Sequence, residues 1–229
     1  MKTGIYWQDP KYALRPGRDF IFDPSLVLYL PLGKLDGASF MAKDAHGHLG
    51  TVTGALWRPN GRDFDGTDDR VDCGTDIFMA ATFAGGFTME AWLNVDTLDD
   101  DHQAAISIKG RLELGVNATT DKAYLFVHDD PGSYWILGDS AISTSQWYHI
   151  AGTWNGTTNK IFVNGVQQAD TKTSNVPALD VSRAITIGAH YNGTARNLDG
   201  LIGEVRVHSR ALSLLEIRRN YLATKWRYR

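Results

Sequence analysis

The segment that most constrains the fold lies near the end of the chain, at residues 200–217, which read GLIGEVRVHSRALSLLEI. Its first half predicts a strand whose apolar side is formed by Ile202, Val205 and Val207. Between them lie Glu204, Arg206 and His208. Ser213 and Glu216 have capping-box spacing, which predicts the start of a helix. We therefore expect a strand that runs into a short helix, with Leu214, Ile217 and Tyr221 docked on the sheet.

The rest of the chain has the pattern of an all-β protein. Its 229 residues are many for one average domain but usual for a β-sandwich, and 43% apolar residues are enough to form a core. Residues 87–95 alternate strictly between apolar and polar positions, which predicts a strand with two different faces. Asp65-Gly66 and Asn164-Gly165 have the composition of tight hairpin turns. About a dozen short strands separated by turns predict a sandwich or jelly roll.

Several motifs identify a family resemblance. They are LVLYLPL at 26–32, DFDGTDDRV at 63–71, FTMEAW at 87–92, WYHIAGTW at 147–154 and the segment at 200–217. Together they resemble the laminin-G-like, concanavalin A-like jelly-roll domains over about residues 25–222. The resemblance implies a sandwich of two antiparallel sheets with one short C-terminal helix. One position departs from the family pattern, because Gly203 stands where the family usually has Asp.

Both ends of the chain differ from this domain. Residues 1–24 form an arm rich in aromatic residues and prolines, and proline keeps such an arm from forming a helix. Its large anchors are Tyr6, Trp7, Tyr12, Phe20 and Phe22. The arm either packs on its own sandwich or docks on another subunit, and a homo-oligomer is compatible with the second alternative. The basic and aromatic tail at 223–229 is either a frayed helix end, with Trp226 at the edge of the core, or a second docking segment.

The composition argues against several classes of protein. The formal net charge is −3 and the basic residues are spread along the chain, whereas a nucleic-acid binder normally has a basic patch. Cys73 is the only cysteine, so no disulfide forms within the chain. The N-terminus has no apolar signal-peptide region, and no run of about 18 apolar residues predicts membrane insertion. We therefore expect synthesis in the cytoplasm without a signal peptide, followed by assembly on a virion or an extracellular surface.

The carboxylates do not predict catalysis. Relatives of this fold that cleave β-glucans carry an E-x-D-x-x-E strand, which this chain lacks. Glu90, Asp96, Glu113 and Glu204 are isolated from one another in the sequence, although Glu90 and Glu204 can still meet in the fold. Neither a Ser/His/Asp nor a Cys/His signature is present. We therefore expect that the protein is not an enzyme.

Calcium is a candidate ligand because many domains of this family bind it through loop carboxylates and carbonyls. The resemblance points to Asp44, to the carbonyls near His46 and Gly47, and to the Asp of the closing strand. That last position is Gly203 here, so one carboxylate is missing. The acidic clusters at 68–69 and 99–101 are typical of solvated turns.

A glycan site is the remaining candidate, because two loops combine aromatic rings with polar side chains. The loops are residues 128–135 and 188–197. Trp135 and Tyr191 can stack on sugar rings. The hydrogen-bonding residues would be His128, Asp130, His190 and Asn192. The alternative is that Trp135 is a half-buried strand residue and Tyr191 is ordinary loop surface.

These observations favour a non-catalytic structural or interaction protein. The lone cysteine, the missing signal peptide and the aromatic arm suggest a bacteriophage virion component, such as a capsid decoration or tail protein, that contacts other subunits through the arm. The first alternative is a carbohydrate-binding module that recognises surface glycans. A glycoside hydrolase is the third hypothesis and requires two carboxylates in one cleft.

Overall fold

The structure is a computed structural model that describes residues 24–44, 46–75, 83–98, 102–179, 184–191, 193 and 195–229. All but the last residue of the predicted arm lie outside the described residues. This includes its aromatic anchors Tyr6, Trp7, Tyr12, Phe20 and Phe22. From Leu26 onward the described chain is an all-β sandwich of two antiparallel sheets, as the sequence predicts.

The elements follow one another in short steps along the chain. In the described residues the strands are β1 (Leu26–Pro31), β2 (Ser39–Met41), β3 (Leu49–Thr53), β4 (Leu56–Arg58), β5 (Gly61–Asp65), β6 (Arg70–Asp72), β7 (Phe87–Val95), β8 (Gln103–Ile108), β9 (Leu112–Asn117), β10 (Lys122–His128), β11 (Ser133–Ala141), β12 (Trp147–Trp154), β13 (Thr158–Val163), β14 (Val166–Thr173), β15 (Ile185–Ile187) and β16 (Asp199–His208). Helix α1 (Leu214–Thr224) follows, and 3₁₀ turns form at Leu32–Lys34 and Lys225–Arg227. No helix in this described part is long and apolar enough to cross a membrane.

The strands form two sheets with the core between them. Sheet one has the order β14-β13-β12-β7-β16-β5-β4, and β1 also pairs with β16. Sheet two has the order β11-β10-β9-β8-β15-β6-β3-β2. Their inner faces supply one continuous apolar core, which includes Leu93, Ile106, Leu114, Leu125 and Val205. The period-2 alternation of strands places the other residues of each strand on the outer faces.

The outer face of sheet one carries charged residues that are buried beneath helix α1 and the C-terminal tail. The carboxylate of Glu90 on β7 lies 3.0 Å from Nε2 of His149 and 3.6 Å from Nη1 of Arg206. Asn220 on α1 donates to the same carboxylate at 2.9 Å. Arg206 also pairs with Glu204. Glu90 and Glu204 therefore share one arginine in the fold, and both are about 1% exposed. Glu90 links the sheet to helix α1 through Asn220.

Acid is expected to destabilise the protein through Glu90. Burial acts to raise the pKa of Glu90, but the hydrogen bond from His149 and the charge of Arg206 outweigh it and lower the pKa to about 2. A carboxyl group whose pKa is lower in the folded chain stabilises the fold at any pH above its unfolded pKa, and this stability is lost as the pH falls toward the folded pKa. We expect the free energy of unfolding, measured by urea denaturation, to fall between about pH 5 and pH 2.

The comparison with Glu90→Gln isolates this residue from the other carboxyl groups. The variant cannot ionise at position 90, so its free energy of unfolding should depend less on pH over the same range than that of the parent protein. Parallel curves for the two proteins would show that Glu90 is not responsible.

Helix α1 begins as the sequence predicts. The Oγ atom of Ser213 accepts from the amide of Glu216 at 3.4 Å, and the Glu216 carboxylate accepts from the amide of Ser213 at 2.8 Å. Ile217 is buried and Tyr221 is half-buried, as expected. The prediction is wrong for Leu214, which is 45% exposed. Leu214 is the first helical residue, and it lines an open groove beside the β13–β14 turn instead of covering the sheet.

The C-terminal tail is held against sheet one by Tyr228. The ring of Tyr228 stacks on Trp92, with 4.6 Å between the ring centroids, and contacts Trp147 in a tilted arrangement at 4.7 Å. It also lies directly on Gly203, where a Cβ atom would overlap the tyrosine ring. The tail is therefore packed through Tyr228, which is 8% exposed, while Trp226 is 52% exposed. An Asp at position 203, as in the family pattern, would therefore overlap Tyr228.

Candidate functional site

The outer face of sheet two carries a row of side chains that crosses six adjacent strands. Each member pairs with the next through strand register, from β11 through β10, β9, β8 and β15 to β6. In this order the members are Trp135, Phe126, Glu113, Ser107, Thr186 and Asp72, which we call the outer row. Neighbouring strands lie about 4.8 Å apart, so the row is about 24 Å long. It has an aromatic end and an acidic end.

Glu113, in the middle of the outer row, is fully buried under the loop that follows β15. His190 and Arg196 of this loop each bind one oxygen of the Glu113 carboxylate. Ser107 and Tyr124 donate to the same carboxylate at 3.4 Å. The loop is therefore anchored to the sheet by one carboxylate that is satisfied from four directions.

The charge of Glu113 is stabilised in this position. Burial acts to raise its pKa, but the hydrogen bond from His190 and the positive charge of Arg196 outweigh burial, so the pKa of Glu113 lies below its ordinary value. Glu113 is thus an ionised anchor at neutral pH. Its two partners from the loop reach the surface, because the side chains of His190 and Arg196 are 19% and 26% exposed.

Arg196 also covers the aromatic end of the outer row. Its guanidinium carbon lies 5.4 Å from the ring centre of Trp135 and 5.7 Å from that of Phe126. The ring of His102 also contacts Trp135, edge-to-face at 4.7 Å between ring centroids. A cation against an aromatic face is attracted by the ring quadrupole. The result is a preformed surface in which a guanidinium, an imidazole and partly exposed rings lie side by side.

The structure brings together three of the predicted glycan-site residues. Trp135 is in the outer row, His190 binds Glu113, and the ring of Tyr191 lies 4.4 Å from the ring of His190. His128 lies at the end of β10, with its Nδ1 atom 2.9 Å from Oγ of Ser133. The remaining two were predicted as hydrogen-bonding residues. Asp130 is exposed in the β10–β11 turn, and Asn192 lies outside the described residues.

Sequence reasoning missed Glu113 and Arg196 as parts of this site. Glu113 is separated by 77 and 83 residues from the two loop residues that bind it, so no local motif joins them. The sequence signal that could have identified Glu113 is the alternation of apolar and polar residues along β9. Glu113 is a charged residue between apolar Leu112 and Leu114, which marks the outer face of β9 and raises the question of what satisfies it.

The acidic residues differ in their capacity to hold a metal ion. Asp44 accepts from the amides of Tyr29, His46 and Gly47, and its side chain is fully covered. Burial acts to raise its pKa, but hydrogen bonds from His48 and these amides outweigh burial and lower it. Calcium binding at Asp44 stays a prediction.

In the described ranges, one group of carboxylates has metal-ligand spacing, and it comprises Asp65, Asp68 and Asp69.

Comparison with sequence families gives a match over most of the chain. The family model described as "Concanavalin A-like lectin/glucanases superfamily" matches residues 65–218. This range includes the whole outer row and the loop over it, and it ends within α1. A comparison with curated proteins finds no match.

Solved structures with similar folds include both enzymes and binding domains. Trypanosoma rangeli sialidase aligns with a TM-score of 0.68 and 16% identity over 89% of this chain and 33% of its own. This chain therefore spans about one third of the sialidase. Domain 4 of AbnA, an arabinanase from Geobacillus stearothermophilus solved with arabinotriose, aligns with a TM-score of 0.65 and 16% identity over 87% of this chain and 98% of its own. The receptor binding domain of botulinum neurotoxin C/D mosaic serotype aligns with a TM-score of 0.65 and 13% identity, over 86% of this chain and 51% of its own.

Proposed function

Because the chain belongs to the concanavalin A-like lectin/glucanases superfamily, we propose that it is a glycan-binding protein without catalytic activity. The binding surface is the outer row on sheet two, together with the loop that covers Glu113. The observation that carries the proposal is the position of Arg196, which joins the Glu113 carboxylate to the faces of Trp135 and Phe126.

The chemistry of this surface suits a saccharide. Sugar rings have apolar C–H faces and hydroxyl edges, so they bind best where an aromatic side chain adjoins hydrogen-bond donors. Trp135 and Tyr191 supply partly exposed rings, and His190 and Arg196 supply donors that Glu113 holds in place. Groups fixed before binding lose little conformational entropy when the ligand arrives. The AbnA domain solved with arabinotriose, which this chain resembles along nearly the whole domain, supports the same class of ligand.

The state of the carboxylates supports binding without catalysis. A retaining glycosidase needs two carboxyl groups about 5–5.5 Å apart that both reach the sugar. Both oxygens of Glu113 are engaged by its four partners, and Glu90 and Glu204 are buried under α1. We expect no release of chromophore from a panel of nitrophenyl glycosides. Turnover that is lost in Glu113→Gln would overturn this part of the proposal.

A glycan array with matched variants tests the binding surface. We expect Trp135→Ala and Arg196→Gln to weaken binding about tenfold or more, because each removes one part of the joined aromatic and cationic surface. Trp57→Ala is the matched control, because Trp57 is 43% exposed on β4 at the edge of the other sheet. Performing the array with calcium and with EDTA also tests the calcium prediction.

Two results would contradict the proposed surface. The first is equal binding by the parent protein, Trp135→Ala and Arg196→Gln, provided that circular dichroism shows all three to be folded. The second is a loss of binding in Trp57→Ala. Absence of binding to any arrayed glycan would favour the structural role instead. The virion role, the assembly partners of residues 1–24 and the final location of the protein stay predictions from the sequence.

A further inference from the structure

A groove on the opposite sheet lies at an opening in the strand pairing. β16 is paired with β5 along residues 199–202 and with β1 along residues 204–208. β1 ends at Pro31 and β5 begins at Gly61, so Gly203 lies at the junction of the two partners. A groove of about 410 Å³ opens here, a size in the range of small-ligand sites. Its walls include Pro31, Lys34, Pro59, Asn60, Trp226 and Arg227.

The C-terminal tail forms one wall of this groove in a fixed position. Tyr228 is anchored between Gly203, Trp92 and Trp147, and it holds the two residues before it over the groove. The indole N–H of Trp226 donates to the carbonyl of Ala223 at 2.9 Å. The indole orientation is thereby set by a hydrogen bond while 52% of the residue is exposed. An aromatic platform of this kind is preorganised for a ligand.

The charges that reach the groove are positive. Glu204 is buried, and its carboxylate is already bound by Arg206 and by Nη1 of Arg227, the latter at 3.2 Å. The guanidinium of Arg227 also lies 5.2 Å from the ring centre of Trp226. Lys34, on the facing wall, is exposed and forms no ion pair within the described ranges. An anion in the groove would therefore meet Lys34 and the outer edge of Arg227.

We propose that this groove is a second ligand site, which binds a sugar ring bearing a carboxylate, such as a uronic acid. The apolar face of the ring lies on Trp226, the carboxylate pairs with Lys34 and Arg227, and the amide of Asn60 binds hydroxyl groups, since an amide both donates and accepts. Prolines 31 and 59 form rigid apolar walls. The site is separate from the outer row, because the two lie on the outer faces of different sheets.

Titration with glucuronic acid tests the proposal. The chain has seven tryptophans, so the signal should be the indole N–H resonance of Trp226, assigned with Trp226→Phe in a ¹⁵N-labelled sample. We expect saturable shifts of this resonance, and at least about tenfold weaker binding of glucose at the same pH and ionic strength. Trp226→Ala and Lys34→Met should each weaken glucuronic acid binding about tenfold. Both residues are exposed, so both variants should fold.

Two control variants separate this site from the outer row. Trp57→Ala removes another exposed tryptophan from the same sheet and should leave glucuronic acid binding unchanged. In Trp135→Ala the shifts of the Trp226 resonance should also stay unchanged, because this substitution alters the outer row and not the groove. The proposal is overturned if Trp226→Ala and Lys34→Met bind like the parent protein, or if the Trp226 resonance does not move. Binding that is lost in Trp135→Ala alone would assign the acid to the outer row and would likewise overturn it.

Discussion

Replacement of Gly203 by Asp, the usual family residue, is expected to lower the free energy of unfolding by about 3–5 kcal/mol, the range found when a large aromatic side chain is lost from a core. Gly203 does not have a positive φ, so its backbone conformation suits any residue. The cost arises from Tyr228, because a Cβ atom at position 203 would overlap the tyrosine ring. Tyr228 would have to leave its contacts with Trp92 and Trp147, which uncovers the outer face of sheet one.

A double-mutant cycle separates this clash from other effects of Asp. In a Tyr228→Ala background the ring is already absent, so Gly203→Asp should cost much less than in the parent protein. Gly85→Asp is the matched control, since a Cβ atom at Gly85 meets no atom within 4 Å. It should change the unfolding midpoint very little. Equal costs of Gly203→Asp with and without Tyr228 would contradict the explanation.

Removal of the carboxylate of Glu90 is the second change with a large expected effect. Glu90→Ala would leave Arg206 and His149 buried next to a cavity, with Asn220 of α1 lacking its acceptor. Removal of one partner from a buried ion pair typically costs about 3–5 kcal/mol. Arg206 keeps its pair with Glu204, so the cost arises from the weakened ion-pair network and from His149 and Asn220, which lose their acceptor. We expect a loss of this size in urea denaturation, accompanied by faster hydrogen exchange in α1 because Asn220 links the helix to the sheet.

An exposed pair provides the control for Glu90→Ala. Lys172 pairs with Asp170 at 2.9 Å, but the side chain of Lys172 is 47% exposed. Lys172→Ala should therefore change stability by less than about 1 kcal/mol. Similar losses in the two variants would mean that burial of the Glu90 network does not determine its contribution to stability.

The sequence was sufficient where local pattern determines structure. The alternation of residues 87–95 predicted β7 with its full length, and Ser213 with Glu216 predicted the start of α1. Asn164 and Gly165 both adopt positive φ in the hairpin between β13 and β14, as their turn composition requires. In each case the relevant interactions join residues that are close in the chain.

The candidate site could be predicted only in part, because strand register created it. Trp135 and His190 were selected from the composition of their loops. Their relation to Glu113 depends on the pairing of β8, β9, β10 and β11, which no local pattern specifies. The short strands β2, β3 and β4 were likewise missed. They lie at or near the edges of their sheets, where partial exposure removes the apolar alternation.

The position of β16 between β7 on one side and both β1 and β5 on the other determines when this chain can finish folding. A ribosome makes about 5–20 residues per second, so β1 is complete on the order of 10 s before the strand that pairs with it has been made. Until then β1, β5 and β7 each have an unpaired edge, and open edges are templates for aggregation. Deletion of only the last 31 residues, from Asp199 to the end, would make that exposed state permanent.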